Sequence, residues 1–177
     1  MIALPHSAGQ EILFEQDRQL AYITFNRPEA RNAMTWNMYD RLEKLCDQVD
    51  SSEDIRVVIL QGAGDQAFVA GTDIAQFQSF RTPQDAIAYE QRIDRVVDRL
   101  ERVQKPTIAM IRGYCVGGGM SLALACDFRY ASPDLRLGVP IARTLGNCLS
   151  MSNYARVLDL VGPARAKEVI MDQPAPR

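Results

Sequence analysis

Histidine is almost missing from this chain of 177 residues, because His6 near the N-terminus is the only one. A single terminal histidine argues against a Ser/His/Asp triad, a Cys/His pair and most zinc sites, since each needs an imidazole held in a packed environment. No metal site is therefore expected. Any chemistry must use carboxylates, hydroxyls, backbone groups or a cofactor.

An excess of charge of either sign is also missing, because 20 basic and 22 acidic side chains leave a net charge of −2. The basic residues are scattered along the chain, so neither nucleic acid nor a membrane surface is an expected partner. No run approaches the ~18 apolar residues of a membrane span. The first ten residues lack the basic start and the unbroken apolar segment of a signal peptide.

Cysteine pairs are missing too. None of the four cysteines, at positions 46, 115, 126 and 148, forms a C-x-x-C motif, and three lie in apolar stretches where cysteine behaves as a small buried side chain. Reduced thiols of this kind are typical of cytoplasmic proteins, and a cytoplasmic location is the expectation.

What is present is the composition of one globular unit, with 47% hydrophobic and 24% charged residues. The length predicts a single domain over residues 1–177. Periodicity predicts strands at 11–16, 19–26 (with a turn at 16–18), 57–60, 107–111, 128–130 and 135–138. It predicts helices at 35–50, 82–105, 120–127, 149–160 and 163–170. This alternation indicates an α/β layered core.

Three glycine-bearing turns follow predicted strands. Residues 62–67 fit a loose G-x-G-x-x-A nucleotide pattern, but extended chain follows them instead of the required helix, so an ordinary turn is preferred. Residues 67–74 and 112–122 place backbone N–H groups at a strand end and at a helix start. Such groups can converge on a developing negative charge, although each motif alone also fits a turn or tight packing.

Four motifs in order make the chain resemble the crotonase family, the enoyl-CoA hydratase/isomerase superfamily. They are NRPEARNAM (26–34), AFVAGTD (67–73), GYCVGGG (113–119) and ACDFRYA (125–131), within a resemblance that covers roughly residues 10–171. The resemblance implies a spiral of repeated ββα units and an acyl-CoA enzyme of fatty acid metabolism. It also implies a homotrimer or hexamer, with no cofactor beyond the coenzyme A of the substrate.

The same resemblance implies that two backbone amides hold the thioester oxygen as an enolate. These amides fall on Thr72 and Gly118, and Ser121 is a further candidate catalytic residue. Implied coenzyme A contacts fall on Ala30, Arg31, Ala33, Ala70, Gly71 and Gly117. The Thr72 hydroxyl is expected to cap a local turn. Asp73 and Asp127 are expected to act in capping and ion pairing.

The sequence departs from the family pattern at the two glutamates with which a hydratase handles water and the Cα proton. Ser121 and Ile141 stand at those positions. Residues 143–148 take the place of the family's glycine-rich turn, and Arg143, Asn147 or Cys148 are hypothesised to reach the acyl pocket. The chain also ends before the usual C-terminal trimerisation helices, so a core without that segment is expected.

Two functional hypotheses remain open at this point. The first is an enolate-forming acyl-CoA enzyme of hydratase, isomerase or dehydratase type, with a carboxylate from an unmapped loop. Its pocket is expected to come from loops around 74–92 and 141–150. The alternative is a non-catalytic acyl-CoA-binding or assembly subunit that has lost the two glutamates but kept the amides.

Overall fold

Five strands form the larger sheet of the computed structural model, which describes residues 9–140 and 149–171. The strand order is β1-β2-β3-β5-β7, where only the β1–β2 pair is antiparallel. These strands are β1 (Ile12–Asp17), β2 (Leu20–Phe25), β3 (Val57–Gly62), β5 (Thr107–Ile111) and β7 (Phe128–Ala131). A smaller parallel sheet has the order β4-β6-β8 and consists of β4 (Ala67–Val69), β6 (Tyr114–Val116) and β8 (Arg136–Gly138).

The helices are α1 (Trp36–Ser51), α2 (Pro83–Glu101), α3 (Gly118–Ala125) and α4 (Met151–Met171). The last is two helices joined at Gly162, whose φ of 72° is not helical and which Pro163 follows. Two short 3-10 helices span Pro28–Ala30 and Ile74–Ser79. No helix in the described ranges is long and apolar enough to cross a membrane.

The predicted spiral of ββα units is confirmed. Each turn of the chain gives one strand to the larger sheet, one strand to the smaller sheet and then a helix: β3, β4 and α2 first, then β5, β6 and α3, and then β7, β8 and α4. Because parallel strands leave their carboxyl ends at one edge, β4 and β6 both deliver their following residues to the same place.

Helices α1 and α2 begin where the sequence predicts. The hydroxyl of Thr35 accepts a hydrogen bond from the Met38 amide at 3.2 Å, and the Asp85 carboxylate accepts one from the Thr82 amide at 2.7 Å. The predicted apolar face of α1 is buried throughout: Tyr39, Leu42, Leu45, Cys46 and Val49. This face and that of α2 build the main core against the larger sheet.

Some predicted boundaries are wrong. The hairpin turn lies at residues 18–19, not 16–18, because Gln16 and Asp17 still pair with Ala21 and Leu20 in the ladder. Arg18 supplies the positive φ, 54°, that this tight turn requires. Strand β6 lies inside a segment that was predicted as a turn. Helix α3 begins at the glycines, two residues early, and α2 ends at Glu101.

Candidate active site

Residues 70–73 leave β4 and run beside residues 31–34, to which they are hydrogen-bonded. The Met34 amide donates to the Gly71 carbonyl at 2.8 Å, and the Asp73 amide donates to the Met34 carbonyl at 2.9 Å. Since consecutive peptide groups of an extended chain point to opposite sides, the Thr72 amide faces away from Met34. It makes no hydrogen bond to any other described residue.

The first turn of α3 lies against this segment through its glycines. Gly117 has a φ of 53° and caps the helix, and its carbonyl accepts from the Ser121 amide at 3.2 Å. The Gly118 amide therefore belongs to the first turn, where N–H groups have no helical acceptor. A Cβ on Gly119 would stand 2.1 Å from the Val69 carbonyl oxygen, so only glycine fits there.

Thr72 and Gly118 consequently meet. A Cβ on Gly118 would lie 3.9 Å from the Thr72 amide nitrogen and 3.5 Å from its Oγ1. A Cβ on Gly117 would lie 3.6 Å from the Gly71 Cα. We call the paired N–H groups of Thr72 and Gly118 the amide cradle. Two such donors beside a helix N-terminus can hold a negatively charged oxygen.

The 27–34 segment is anchored by Asn32, a fully buried polar residue. Its side-chain amide donates to the Ala63 and Ala67 carbonyls at 3.0 and 2.8 Å, and its Oδ1 accepts from the Arg27 amide at 3.0 Å. Arg27 in turn pairs with Asp73 at 3.0 Å. These bonds hold the first motif against the second, and so fix the chain on both sides of the cradle.

Five of the six expected coenzyme A residues lie on these same two segments, and Gly117 caps α3. The Ala70 amide donates to the Arg31 carbonyl at 3.0 Å, and Ala30 and Ala33 flank Arg31 in the 27–34 segment. The Arg31 guanidinium lies 4.8 Å from the ring centre of Tyr114, at the start of β6. The coenzyme A roles of Ala30, Arg31, Ala33, Ala70, Gly71 and Gly117 stay predictions.

A second arginine lies on the same ring. Arg136, in β8 directly opposite Tyr114, places its guanidinium 4.9 Å from the ring centre and donates to the Tyr114 hydroxyl at 2.6 Å. The pKa of the exposed Asp134 carboxyl is lowered mainly by the hydrogen bond from the Ser132 hydroxyl, with smaller contributions from the charges of Arg112 and Arg136. Arg31 and Arg136 therefore give this rim of the site a positive potential.

Three hydroxyl groups meet beside the cradle. The Thr72 Oγ1 lies 2.8 Å from the Tyr39 hydroxyl of α1 and accepts from the Tyr89 hydroxyl of α2 at 3.3 Å. The prediction that the Thr72 hydroxyl caps a local turn is therefore wrong, because its partners come from two distant helices. We call these three groups the hydroxyl cluster. A Cβ on Gly118 would stand 2.7 Å from the Tyr39 oxygen.

Both tyrosines of the hydroxyl cluster remain protonated over a wide pH range. Burial raises the pKa of Tyr89 to about 12, partly offset by its bond to Thr72. Burial raises the pKa of Tyr39 even further above its usual range. The Glu90 carboxylate, on α2, contributes a smaller upward shift to both pKa values.

The remaining predicted residues divide into three groups. Ser121 lies in α3 and is buried to 1% exposure. Asp73 caps the Ile74–Ser79 helix by accepting from the Ala75 amide at 3.1 Å, and Asp127 accepts from the Thr107 amide at 2.8 Å, which confirms structural roles for both. Ile141, with Arg143, Asn147 and Cys148, lies outside the described residues, as does His6.

Sequence reasoning missed the hydroxyl cluster and the role of Asn32. Tyr39 was predicted only as part of an apolar helix face, and Tyr89 was not singled out. The sequence does contain a signal for the hydroxyl cluster, because a buried tyrosine needs a hydrogen-bond partner for its hydroxyl. A tyrosine in the buried stripe of each of two helices therefore predicts a polar contact inside the core.

Comparison with known proteins agrees with this geometry. Residues 15–173 match the family model for enoyl-CoA hydratase/isomerase. The chain is 33% identical over 159 residues to a short-chain-enoyl-CoA hydratase of Clostridium acetobutylicum, covering 90% of this chain and 60% of that protein. It is 32% identical over 163 residues to a crotonyl-CoA hydratase of Syntrophomonas wolfei, covering 92% and 62% of the two chains.

Solved structures show the same fold. An enoyl-CoA hydratase/carnithine racemase from Magnetospirillum magneticum superposes with a TM-score of 0.87 at 32% identity, over 93% of this chain and 62% of that one. An enoyl-CoA hydratase from Bacillus anthracis gives 0.86 at 31% identity, over 93% and 64%.

A spiral of ββα units with glycine-lined amides at adjoining strand ends defines the crotonase class of protein. This chain belongs to the enoyl-CoA hydratase/isomerase family. It spans about 60% of the length of the curated relatives that it matches.

Proposed function

We propose that this protein binds a coenzyme A thioester and stabilises its enolate in the amide cradle. The observation that carries the proposal is the approach of Gly118 to the Thr72 amide, with neither N–H engaged by another described residue. A thioester oxygen that accepts from both N–H groups gains most when it becomes negative, so the cradle favours the transition state over the ground state.

The positive rim supports coenzyme A as the carrier. The guanidiniums of Arg31 and Arg136 lie on one Tyr114 ring, and β6 leads from that ring to the cradle in four residues. Four extended residues span roughly 13 Å. A ligand with an acyl thioester at one end and phosphates at the other matches this arrangement of an oxyanion site and paired arginines.

Enolate formation also needs a base, which takes the Cα proton while the electron pair of the C–H bond moves into the enolate. Ser121 has no partner imidazole and is a poor base at neutral pH. We propose that a carboxylate from the 74–92 region, where the acyl pocket is expected, takes this role.

One observation favours a second candidate function, a subunit that binds acyl-CoA without turnover. Serine replaces the family's glutamate at position 121, on a side chain that is 1% exposed. A homotrimer or hexamer, a cytoplasmic location and independence of any cofactor other than coenzyme A belong to either version of the proposal. Sedimentation analysis measures the assembly.

The deciding experiment incubates butyryl-CoA and crotonyl-CoA with the protein in deuterated water and follows both thioesters by mass spectrometry. An enolate-forming enzyme incorporates deuterium at Cα of butyryl-CoA, and a hydratase adds water to crotonyl-CoA. Neither change on a folded protein that binds both thioesters would leave the binding subunit as the function.

A pair of variants at one position isolates the amide. Gly118→Ala and Gly118→Pro both add a Cβ, but only proline removes the N–H, at a first-turn position where proline is otherwise tolerated. Loss of an oxyanion donor typically lowers turnover by about 100- to 1000-fold. Equal exchange rates in the two variants would contradict the cradle.

A further inference from the structure

The hydroxyl cluster contains three O–H protons and few acceptors. Tyr89 donates to the Thr72 Oγ1 at 3.3 Å, and the Tyr39 hydroxyl lies 2.8 Å from the same oxygen. No other side-chain hydrogen bond of these three hydroxyls occurs within residues 9–140 and 149–171. One of the three protons is therefore left without an acceptor from these ranges.

Burial decides which proton this is. Tyr39 is completely buried, and a buried O–H that finds no acceptor costs free energy, so Tyr39 donates to Thr72. Tyr89 also donates to Thr72. The Thr72 oxygen then accepts two bonds with its two lone pairs, and its own proton is the one left over. Thr72 is only half-buried, unlike the buried Tyr39 and Tyr89.

The Thr72 oxygen lies beside the amide cradle. Thr72 Oγ1 lies 3.5 Å from the Cβ position of Gly118, and the Thr72 nitrogen lies 3.9 Å from the same point, whose nearest neighbour is the Tyr39 oxygen at 2.7 Å. The Thr72 hydroxyl therefore lies next to Gly118, whose N–H belongs to the cradle. From this geometry we propose that the Thr72 hydroxyl donates a third hydrogen bond to the thioester oxygen of a bound acyl-CoA.

This inference rests on the proposed function and deepens it. Tyr39 and Tyr89 act as positioning residues, because they occupy the lone pairs of Thr72 and turn its proton toward the ligand. Hydrogen bonds in such a chain also polarise one another, which strengthens the last donor. The raised pKa values of both tyrosines keep them as donors at neutral pH.

The test uses a ligand that reports hydrogen bonding directly, without turnover. The probe is 4-(dimethylamino)cinnamoyl-CoA, whose absorption moves to longer wavelength as its carbonyl oxygen is polarised. Thr72→Val keeps the shape and the backbone N–H but removes the hydroxyl, and Thr72→Ser keeps the hydroxyl. Thr24→Val is the matched control, since Thr24 is a buried threonine whose hydroxyl also accepts a side-chain bond, from Gln61 at 3.1 Å.

The proposal expects a shift to longer wavelength in the wild type, in Thr72→Ser and in Thr24→Val, and a clearly smaller shift in Thr72→Val. If exchange occurs, kcat in Thr72→Val falls about 10- to 100-fold with a smaller change in KM. A full shift in Thr72→Val overturns this inference while leaving the amide cradle standing. Failure of the folded wild type to bind the probe overturns the proposed function and the inference together.

A second variant separates the hydroxyl from any structural effect. Thr72→Val leaves the buried Tyr39 proton without its acceptor, so the variant is expected to lose stability. The double variant Thr72→Val/Tyr39→Phe removes that unpaired group and should regain stability but not the absorption shift. Recovery of the full shift in the double variant overturns the proposal.

Discussion

The start of α3 lies against the end of β4 with no side chain between them, whereas the outer edge of the contact between α1 and α2 is a row of charged side chains. At the first contact, a Cβ on Gly119 would meet the Val69 carbonyl oxygen at 2.1 Å. At the second, three arginines of α2 pair with acids of α1: Arg92–Asp40, Arg95–Glu43 and Arg99–Asp47. The position of the cradle therefore depends on a contact between backbone atoms, which leaves no space for a side chain. The charged row between α1 and α2 consists of ion pairs whose groups water can solvate instead.

The largest expected effect is at Gly119. We expect Gly119→Ala to lower the free energy of unfolding by about 4 kcal/mol or more, or to prevent folding, because the clash is with backbone. Gly162→Ala is the comparison, at a glycine that only the backbone conformation requires. Its φ is 72°, and nothing lies within 4 Å of the added Cβ. Backbone strain alone costs about 1–3 kcal/mol in this region of φ and ψ, which only glycine adopts freely. Urea denaturation measures the free energy of unfolding of both variants. Equal losses would mean that the backbone clash at Gly119 adds nothing to the cost of the substitution.

A smaller effect is expected at Gly118, where the obstacle is a side chain. A Cβ there would meet the Tyr39 oxygen at 2.7 Å. We expect Gly118→Ala to cost about 1–3 kcal/mol, because the tyrosine must shift in a packed core. Adding Tyr39→Phe removes the oxygen and should restore part of that loss. A double variant less stable than the sum of the single variants, by thermal denaturation, would show that the clash lies elsewhere.

Much of this architecture could be predicted from local signals. The caps at Thr35 and Asp85 and the apolar face of α1 specify helices whose starts and buried faces match the structure. The four motifs predict the family and bring Thr72 and Gly118 together before any coordinates are known. These features depend on residues that are close in the sequence, or on motifs that recur among proteins of one family.

Other features depend on contacts between distant residues, and periodicity does not encode them. Strand β6 has three residues between two glycines, so its sequence looks like a turn until β4 and β8 pair with it. The hydroxyl cluster joins α1, α2 and the residue after Gly71. Nothing near Thr72 in the sequence shows that two helices place their tyrosines on its oxygen.

The buried thiols and hydroxyls predict a loss of stability in alkali. Burial raises the pKa of Cys46, Cys126 and Tyr89 to about 12 in the folded protein. The unfolded chain releases these protons near pH 9 to 10, so it binds fewer protons than the folded chain between pH 9 and 12. The free energy of unfolding then falls as pH rises through this window, by at most about 1.4 kcal/mol per pH unit for each group.

Tyr89→Phe isolates one group of this set. Between pH 10 and 12, the free energy of unfolding of this variant should fall less steeply with pH than that of the wild type, because its unfolding releases up to one proton fewer. Urea denaturation at several pH values measures the two slopes. Identical slopes would mean that Tyr89 ionises alike in the folded and unfolded chains. Because Tyr89 belongs to the region around the cradle, this measurement also tests how tightly that region excludes water.

The smallest effect is expected in the charged row between α1 and α2. Arg95 is 57% exposed and pairs with Glu43 at 3.0 Å, so Arg95→Ala should change the free energy of unfolding by about 0.5 kcal/mol or less. The change should shrink in about 1 M salt, which screens exposed charges. A loss above about 2 kcal/mol that salt does not reduce would mean that the helix pair, like the cradle, depends on one fixed geometry. The contact between β4 and α3 and the charged row between α1 and α2 would then consist of different groups, but both would tolerate substitution poorly.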